Sequence, residues 1–173
     1  PPPEAEEPGT MSNSVLFLKV GAGLSKIPVP ADFDLQGSPV FSPDGSCLTY
    51  DAWNKSKGET FRDSKIVVCR PDGSDPVIWG KGSMASFCPD NQQITYSSYQ
   101  SGAMIGEVSA PTKTQVLERS GWSPRWSPDG KYIAYTRHLH EGGNLCLHEV
   151  ASGNRRMLLN GEEASRFDIV YWN

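Results

Sequence analysis

The feature that most constrains this chain is a repeat within it. Three segments share one template: Phe41-Ser42-Pro43-Asp44-Gly45, Phe87-Cys88-Pro89-Asp90-Asn91 and Trp126-Ser127-Pro128-Asp129-Gly130. Counted from the aromatic, proline follows at +2, aspartate at +3 and Gly or Asn at +4, then Leu48, Ile94 and Ile133 at +7 and Tyr50, Tyr96 and Tyr135 at +9. Each copy reads as a strand ending at the aromatic, a turn, and a second strand. Proline presets φ, aspartate bonds its own backbone, and Gly or Asn accepts the left-handed conformation that closes the turn. The second strand alternates, with Leu48 and Tyr50 on one face and Cys47 and Thr49 on the other.

A second block follows each template. Residues Ile66 to Gly82, Ile105 to Gly121 and Leu145 to Gly161 are each 17 residues long and align without a gap. Each reads as strand, polar turn, strand, glycine. The turns are placed at Pro71-Asp72-Gly73-Ser74, Ala110-Pro111-Thr112-Lys113 and Ala151-Ser152-Gly153-Asn154. Two hairpins per unit make four strands, and successive aromatics lie 46 and 39 residues apart. A four-stranded unit of about 40–50 residues, unable to cover both its faces alone, is the blade of a β-propeller. The longer spacing in the first unit places an insertion between its second and third strands, over Trp53 to Arg62.

The flanks read as incomplete units. Val15 to Val20 and Lys26-Ile27-Pro28-Val29 resemble a third and a fourth strand, and Phe167 to Asn173 resembles a first strand. The expected fold is all-β, a propeller of four-stranded antiparallel blades with about three full blades and a partial blade at each end. The division is 1–13 disordered lead or linker, 14–37 partial blade, 38–82 first blade, 83–121 second, 122–161 third, and 162–173 the first strand of a further blade. The Pro- and Glu-rich start has no basic, apolar leader and is expected to be processed or trimmed.

The phrase Trp126-Ser127-Pro128-Asp129-Gly130-Lys131-Tyr132-Ile133-Ala134-Tyr135 closely resembles the repeat of TolB-type β-propellers, a branch related in architecture to WD40-like repeats. The resemblance covers about residues 14–173; the second copy departs from it at Cys88 and Asn91. It implies a closed ring with more blades than the three whole ones here. Three completions follow: a longer chain of which this is a fragment, a smaller closed form, or a homo-oligomer in which two chains each supply half of a ring. TolB proteins are periplasmic and contact a peptidoglycan-associated lipoprotein. The resemblance therefore implies a periplasmic or otherwise extracytoplasmic location, with the cytoplasm as the alternative.

Composition narrows the function classes. Gly (17) and Pro (14) make up roughly 18% of 173 residues, against about 12% in ordinary proteins, so turns are frequent, which argues against a helical bundle. A net charge of −4 argues against a nucleic-acid partner. No apolar run approaches the ~20 residues of a membrane helix. Cys47, Cys69, Cys88 and Cys146 include no Cys-x-x-Cys pair, and buried thiols are the simpler reading, although their even number permits disulfides. His138-Leu139-His140-Glu141 holds potential metal donors, but without a spaced partner elsewhere a solvated loop explains them, and no metal or cofactor is expected.

No nucleophile elbow, phosphate-binding loop or dinucleotide fingerprint occurs, so no catalytic residue is assigned and the chain is read as a non-enzyme. The repeated aspartates have a turn role, and the repeated tyrosines suit packing. The candidate site is instead a face. In a propeller, the loops joining second to third and fourth to first strands surround the channel mouth. Here they carry Trp53, Lys55, Arg62, Tyr99, Trp122, Arg137, His138 and His140. Trp, Tyr and Arg predominate at binding hot spots; the competing reading packs Trp53 and Trp122 against neighbouring blades. The expected function is non-catalytic binding or scaffolding of a protein or peptide partner on that face. One alternative is the gating propeller of a serine oligopeptidase-like enzyme; the other is a carbohydrate- or metal-binding propeller.

Overall fold

The computed structural model describes residues 16–20, 22–139 and 142–159. Strands β1 (Phe17–Val20) and β2 (Gly23–Lys26) form an antiparallel pair. Three four-stranded meanders follow. The first blade comprises β3 (Leu35–Phe41), β4 (Leu48–Trp53), β5 (Lys65–Cys69) and β6 (Val77–Lys81). The second comprises β7 (Ser83–Phe87), β8 (Gln93–Ser98), β9 (Gly102–Glu107) and β10 (Ala110–Glu118), and the third β11 (Gly121–Trp126), β12 (Tyr132–Leu139), β13 (Gly142–Glu149) and β14 (Arg155–Leu159). All pairings are antiparallel and sequential, which makes this an all-β propeller architecture with a partial blade at its start. The further strand expected over 162–173 lies outside the described residues.

The repeated turns form as their chemistry dictates. The carboxylates of Asp44, Asp90 and Asp129 accept hydrogen bonds from the amides of Ser46 (3.0 Å), Gln92 (2.9 Å) and Lys131 (3.1 Å). Gly45, Asn91 and Gly130 hold φ of 71°, 60° and 70°. Ser42 and Ser127 add a second clasp: each hydroxyl donates to its aspartate at 2.7 Å and accepts the amide of Cys47 (2.8 Å) or Tyr132 (2.9 Å). In the second copy the equivalent side chain is Cys88, which packs in an apolar cluster instead.

The blades are held by the layers between them. Adjacent β5 residues go opposite ways: Val67 and Cys69 join Ile27, Leu48 and Tyr50 on one face, while Ile66 and Val68 join Trp79, Phe87, Ile94 and Tyr96 on the other. A third layer sets Cys88, Ala103, Ile105 and Leu117 of the second blade against Trp126 and Ile133 of the third. The inward–outward alternation expected of the second strands is therefore an alternation between two buried faces, and every residue of β4 is buried. Each large apolar side chain so enclosed contributes about 1.5–3 kcal/mol. The same layers separate the thiols: Cys47 and Cys69 lie in different clusters, and all four cysteines are free.

A glycine stands at the start of each of two first strands, Gly82 just before β7 and Gly121 opening β11, for a steric reason. A Cβ on Gly82 would stand 2.5 Å from the Tyr96 ring and 2.9 Å from the Ser97 carbonyl oxygen. One on Gly121 would meet Ala103 at 2.9 Å and the Tyr135 ring at 3.1 Å. The repeated tyrosine and the repeated glycine are thus one packing device.

Two strand placements differ from the sequence expectation. The final strand of the first partial blade is Gly23–Lys26, not residues 26–29. Pro28 and Pro30 lack the N–H a ladder needs, and Ile27 turns inward, 2% exposed, its amide donating to the Leu16 carbonyl at 2.9 Å. In the second blade the turn falls before Ala110, which pairs with Glu107. Pro111 to Lys113 are then skipped, and pairing resumes at Thr114 with Gly106. Proline is tolerated here because a bulge demands no ladder donor. Among the described residues no helix is long and apolar enough to cross a membrane.

Candidate functional site

The insertion after β4 is folded by its own capping groups. Asn54 caps a short 3-10 turn at Lys55–Lys57, accepting the Lys57 amide at 2.9 Å and donating to the Asp32 carbonyl at 2.8 Å. The Asp34 carboxylate accepts the amides of Lys55 (2.7 Å) and Ser56 (2.9 Å) and the Ser56 hydroxyl. That hydroxyl first, then the two amides, hold the Asp34 carboxyl below its ordinary range. A second 3-10 turn, Phe61–Asp63, opens with a capping box between Thr60 and Asp63. It turns Phe61 toward Trp53 and sets Arg62 over Tyr99.

The result is a continuous aromatic series crossing three blades. Trp53 meets Phe61 edge-on at 5.6 Å between ring centroids, Phe61 meets Tyr99 at 6.3 Å, and Tyr99 lies tilted against Trp122 at 4.6 Å. The Arg62 guanidinium sits 5.4 Å from the Tyr99 ring centroid, within cation–π range. Phe61, Tyr99 and Trp122 border an open cavity of about 480 Å³, which Met84, Ser98, Gly102 and Arg119 through Gly121 also line.

Three loops fix the rim. The Ser98 hydroxyl accepts the amides of Gln100 and Ser101 at 3.3 Å each, which turns Tyr99 outward to 46% exposure. Glu118 accepts the Ser120 amide (3.3 Å) and hydroxyl (3.1 Å), and Arg155 closes on its other oxygen at 3.0 Å. Burial opposes ionisation of Glu118, but Ser120, Arg155 and Arg137 outweigh it and hold the carboxyl below its ordinary range. Arg137 donates through Nε to the Ser120 hydroxyl at 2.7 Å.

Met84, in the lining of the cavity, belongs to a repeated irregularity. Ser38, Met84 and Ser123, each three residues before the template aromatic, adopt φ of 48°, 56° and 51° at a bulge in the first strand of their blade. The bulge frees an amide for the preceding blade: Met84 N–H donates to Asp51 Oδ1 at 2.9 Å, and Ser123 N–H to Ser97 Oγ at 2.7 Å. Asp51 and Ser97 each directly follow the template tyrosine. Asp51 is wholly buried, and its Oδ2 accepts no hydrogen bond among the described residues. Burial pushes its carboxyl up to about 7, against the partial opposition of the Ser38 hydroxyl, the Met84 amide and Arg125. Arg125 donates to the carbonyls of Ala85 (2.9 Å) and Met84 (3.4 Å), so a charged side chain of the third blade holds the backbone of the second.

The candidate residues divide accordingly. Tyr99 and Trp122 line the cavity, and Arg62 and Arg137 touch its lining at Tyr99 and Ser120. Trp53, 3% exposed, packs beneath the face and also lies against Gly37 at 3.6 Å from the Cβ that glycine lacks. Lys55 is exposed on the insertion and makes no ring contact among the described residues. His140 lies outside the described residues, as does the side chain of His138. Sequence reasoning did not single out Phe61, Met84 or Arg119. Phe61 was signalled by the Thr60–Asp63 box that orients it; Met84 and Arg119 left no local signal.

No family model and no curated protein matches the sequence. Solved structures do resemble the fold. The TolB of Acinetobacter baumannii is similar at TM-score 0.62 and 16% identity, over 80% of this chain and 35% of that one. A candidate TolB from Agrobacterium tumefaciens is similar at 0.68 and 17%, over 86% and 56%. A prolyl endopeptidase is similar at 0.60 and 15%, over 80% and 24%. The chain has a TolB-like β-propeller fold and spans between a quarter and just over half the length of these structures.

Proposed function

We propose that this chain is a non-catalytic binding module that receives a protein or peptide partner on the face built from Phe61, Tyr99, Trp122 and Arg62. The observation carrying this reading is the unbroken ring series from Trp53 to Trp122, drawn from three blades and passing through an exposed tyrosine beside a cavity. Its buried member supports the exposed ones, the arrangement expected of a hot spot on a rigid base. An extracytoplasmic location belongs to the same reading, as does completion of the ring by a second copy or by further chain.

The test is a peptide-display selection against the chain, followed by affinity measurement on variants. Tyr99→Ala and Trp122→Ala each weaken the selected ligands by about tenfold or more, the scale of a truncated hot spot, while Lys113→Ala on the outer strand leaves them unchanged. Equal affinities for all three variants would put the site elsewhere. A second reading, a gate within a larger peptidase, is favoured by the similarity to prolyl endopeptidase. It predicts a hydrolase domain in the same reading frame.

A further inference from the structure

Arg119 lines the cavity, and Arg62 and Arg137 touch its lining at Tyr99 and Ser120. Arg62, Arg119 and Arg137 are all exposed, and none joins an ion pair among the described residues. Arg62 lies over Tyr99, and Arg137 is held through Nε, its terminal nitrogens making no hydrogen bond among the described residues. Among the described residues, the acidic groups close to Arg62 and Arg119 in sequence are already engaged. Glu118 is bound by Arg155 and Ser120, Asp63 by Lys81 (3.3 Å) and Thr60, and Glu59 by the Asn54 amide at 2.7 Å. The chain as a whole carries a net charge of −4, so this face is a local reversal of the protein's charge. All three cations are guanidinium groups, whose planar fork matches a carboxylate and is more easily desolvated than an ammonium.

We propose that the partner segment is an acidic peptide, with an apolar or aromatic side chain seated between Phe61, Tyr99 and Trp122 and flanking carboxylates paired with Arg62, Arg119 and Arg137. This rests on the reading of the face as a peptide-binding surface and adds its charge specificity. The rings supply non-directional burial, and the arginines fix register and exclude basic segments, which would place like charges together. Three arginines on a net-negative chain are too few to track a polynucleotide backbone.

The experiment extends the display selection. Selected peptides are expected to carry Asp or Glu beside a Trp, Phe, Tyr or Leu. A synthetic copy of the strongest, with its Glu and Asp changed to Gln and Asn, binds about tenfold or more weakly by fluorescence anisotropy, as expected for lost charge-assisted pairs. Raising salt weakens the acidic peptide and not its neutral copy. The combined Arg62→Gln, Arg119→Gln and Arg137→Gln variant loses the acidic peptide's advantage while still binding the neutral one. Equal binding of the two peptides to the unaltered chain, with Tyr99→Ala still abolishing both, overturns the acidic specificity and spares the face. Failure to select any peptide, or insensitivity to Tyr99→Ala, overturns both. An oligonucleotide or a uronic-acid oligosaccharide bound at these arginines, without acidic enrichment among the peptides, likewise overturns the proposal.

Discussion

Replacing Asp51 by Asn isolates the electrostatics beneath the site. The folded chain holds this carboxyl near 7, whereas in the unfolded chain it returns to about 3.8. The folded state therefore binds the proton more tightly. The stability this supplies is complete below the unfolded value, declines as pH rises between the two, and is gone above 7. With each unit worth about 1.4 kcal/mol, roughly two units separate pH 5 from the folded value, so Asp51 should weaken the fold by about 3 kcal/mol between pH 5 and pH 8.5. Asn keeps the oxygen that accepts the Met84 amide but cannot ionise. It also puts N–H donors where Oδ2 has no partner, at a cost of about 1–3 kcal/mol that does not vary with pH. Urea unfolding followed by tryptophan fluorescence at both pH values gives the difference. Asp51→Asn should gain about 3 kcal/mol relative to the unaltered chain on going from pH 5 to pH 8.5, ending equal or more stable at the higher pH. A stability difference of the same size at both pH values would refute a buried, proton-holding carboxyl at the blade junction.

Other substitutions probe the junctions separately. Gly82→Ala forces a Cβ against the Tyr96 ring and should cost about 1–3 kcal/mol, read as a lowered Tm; Tyr96→Leu in the same chain should recover part of that loss in a double-mutant cycle. Ser97→Ala leaves the buried Ser123 amide without its acceptor and should destabilise by about 1–3 kcal/mol in urea, whereas Ser46→Ala on an exposed turn should cost less. Burial pushes the thiols of Cys69 and Cys88 up to about 11, so under native conditions Ellman's reagent should modify half-buried Cys47 first and the others at the rate of unfolding.

The turns were legible in the sequence because their chemistry is local. Asp44, Asp90 and Asp129 bond an amide two residues away, so each pentapeptide specifies its own geometry. The four-stranded unit followed from the spacing of those turns and from the apolar residues behind them. Strand ends were harder to read where proline intervened: Val29 looked as strand-like as Ile27, yet the missing donor at Pro28 ended the pairing sooner. At the site, the loops were found because topology brings them together, while the roles within them depended on packing. Trp53 and Tyr99 look equivalent as loop aromatics; Trp53 is covered because it packs over Gly37 and Phe61 closes on it edge-on. Asp51 and Ser97 occupy the same position after the template tyrosine, and neither is apolar. Their shared task, accepting an amide from a bulge in the next blade, could not be read from hydrophobic pattern, since the donor is a backbone amide offered by Met84 and Ser123 alike.

Hydrogen–deuterium exchange with and without a selected peptide tests the proposed face most directly. Binding there should slow exchange at the amides of residues 61–62, 98–102 and 119–123 while leaving the outer strands β6 and β10 unchanged. Protection confined to those outer strands, with no change between Ser98 and Gly102, would contradict the account.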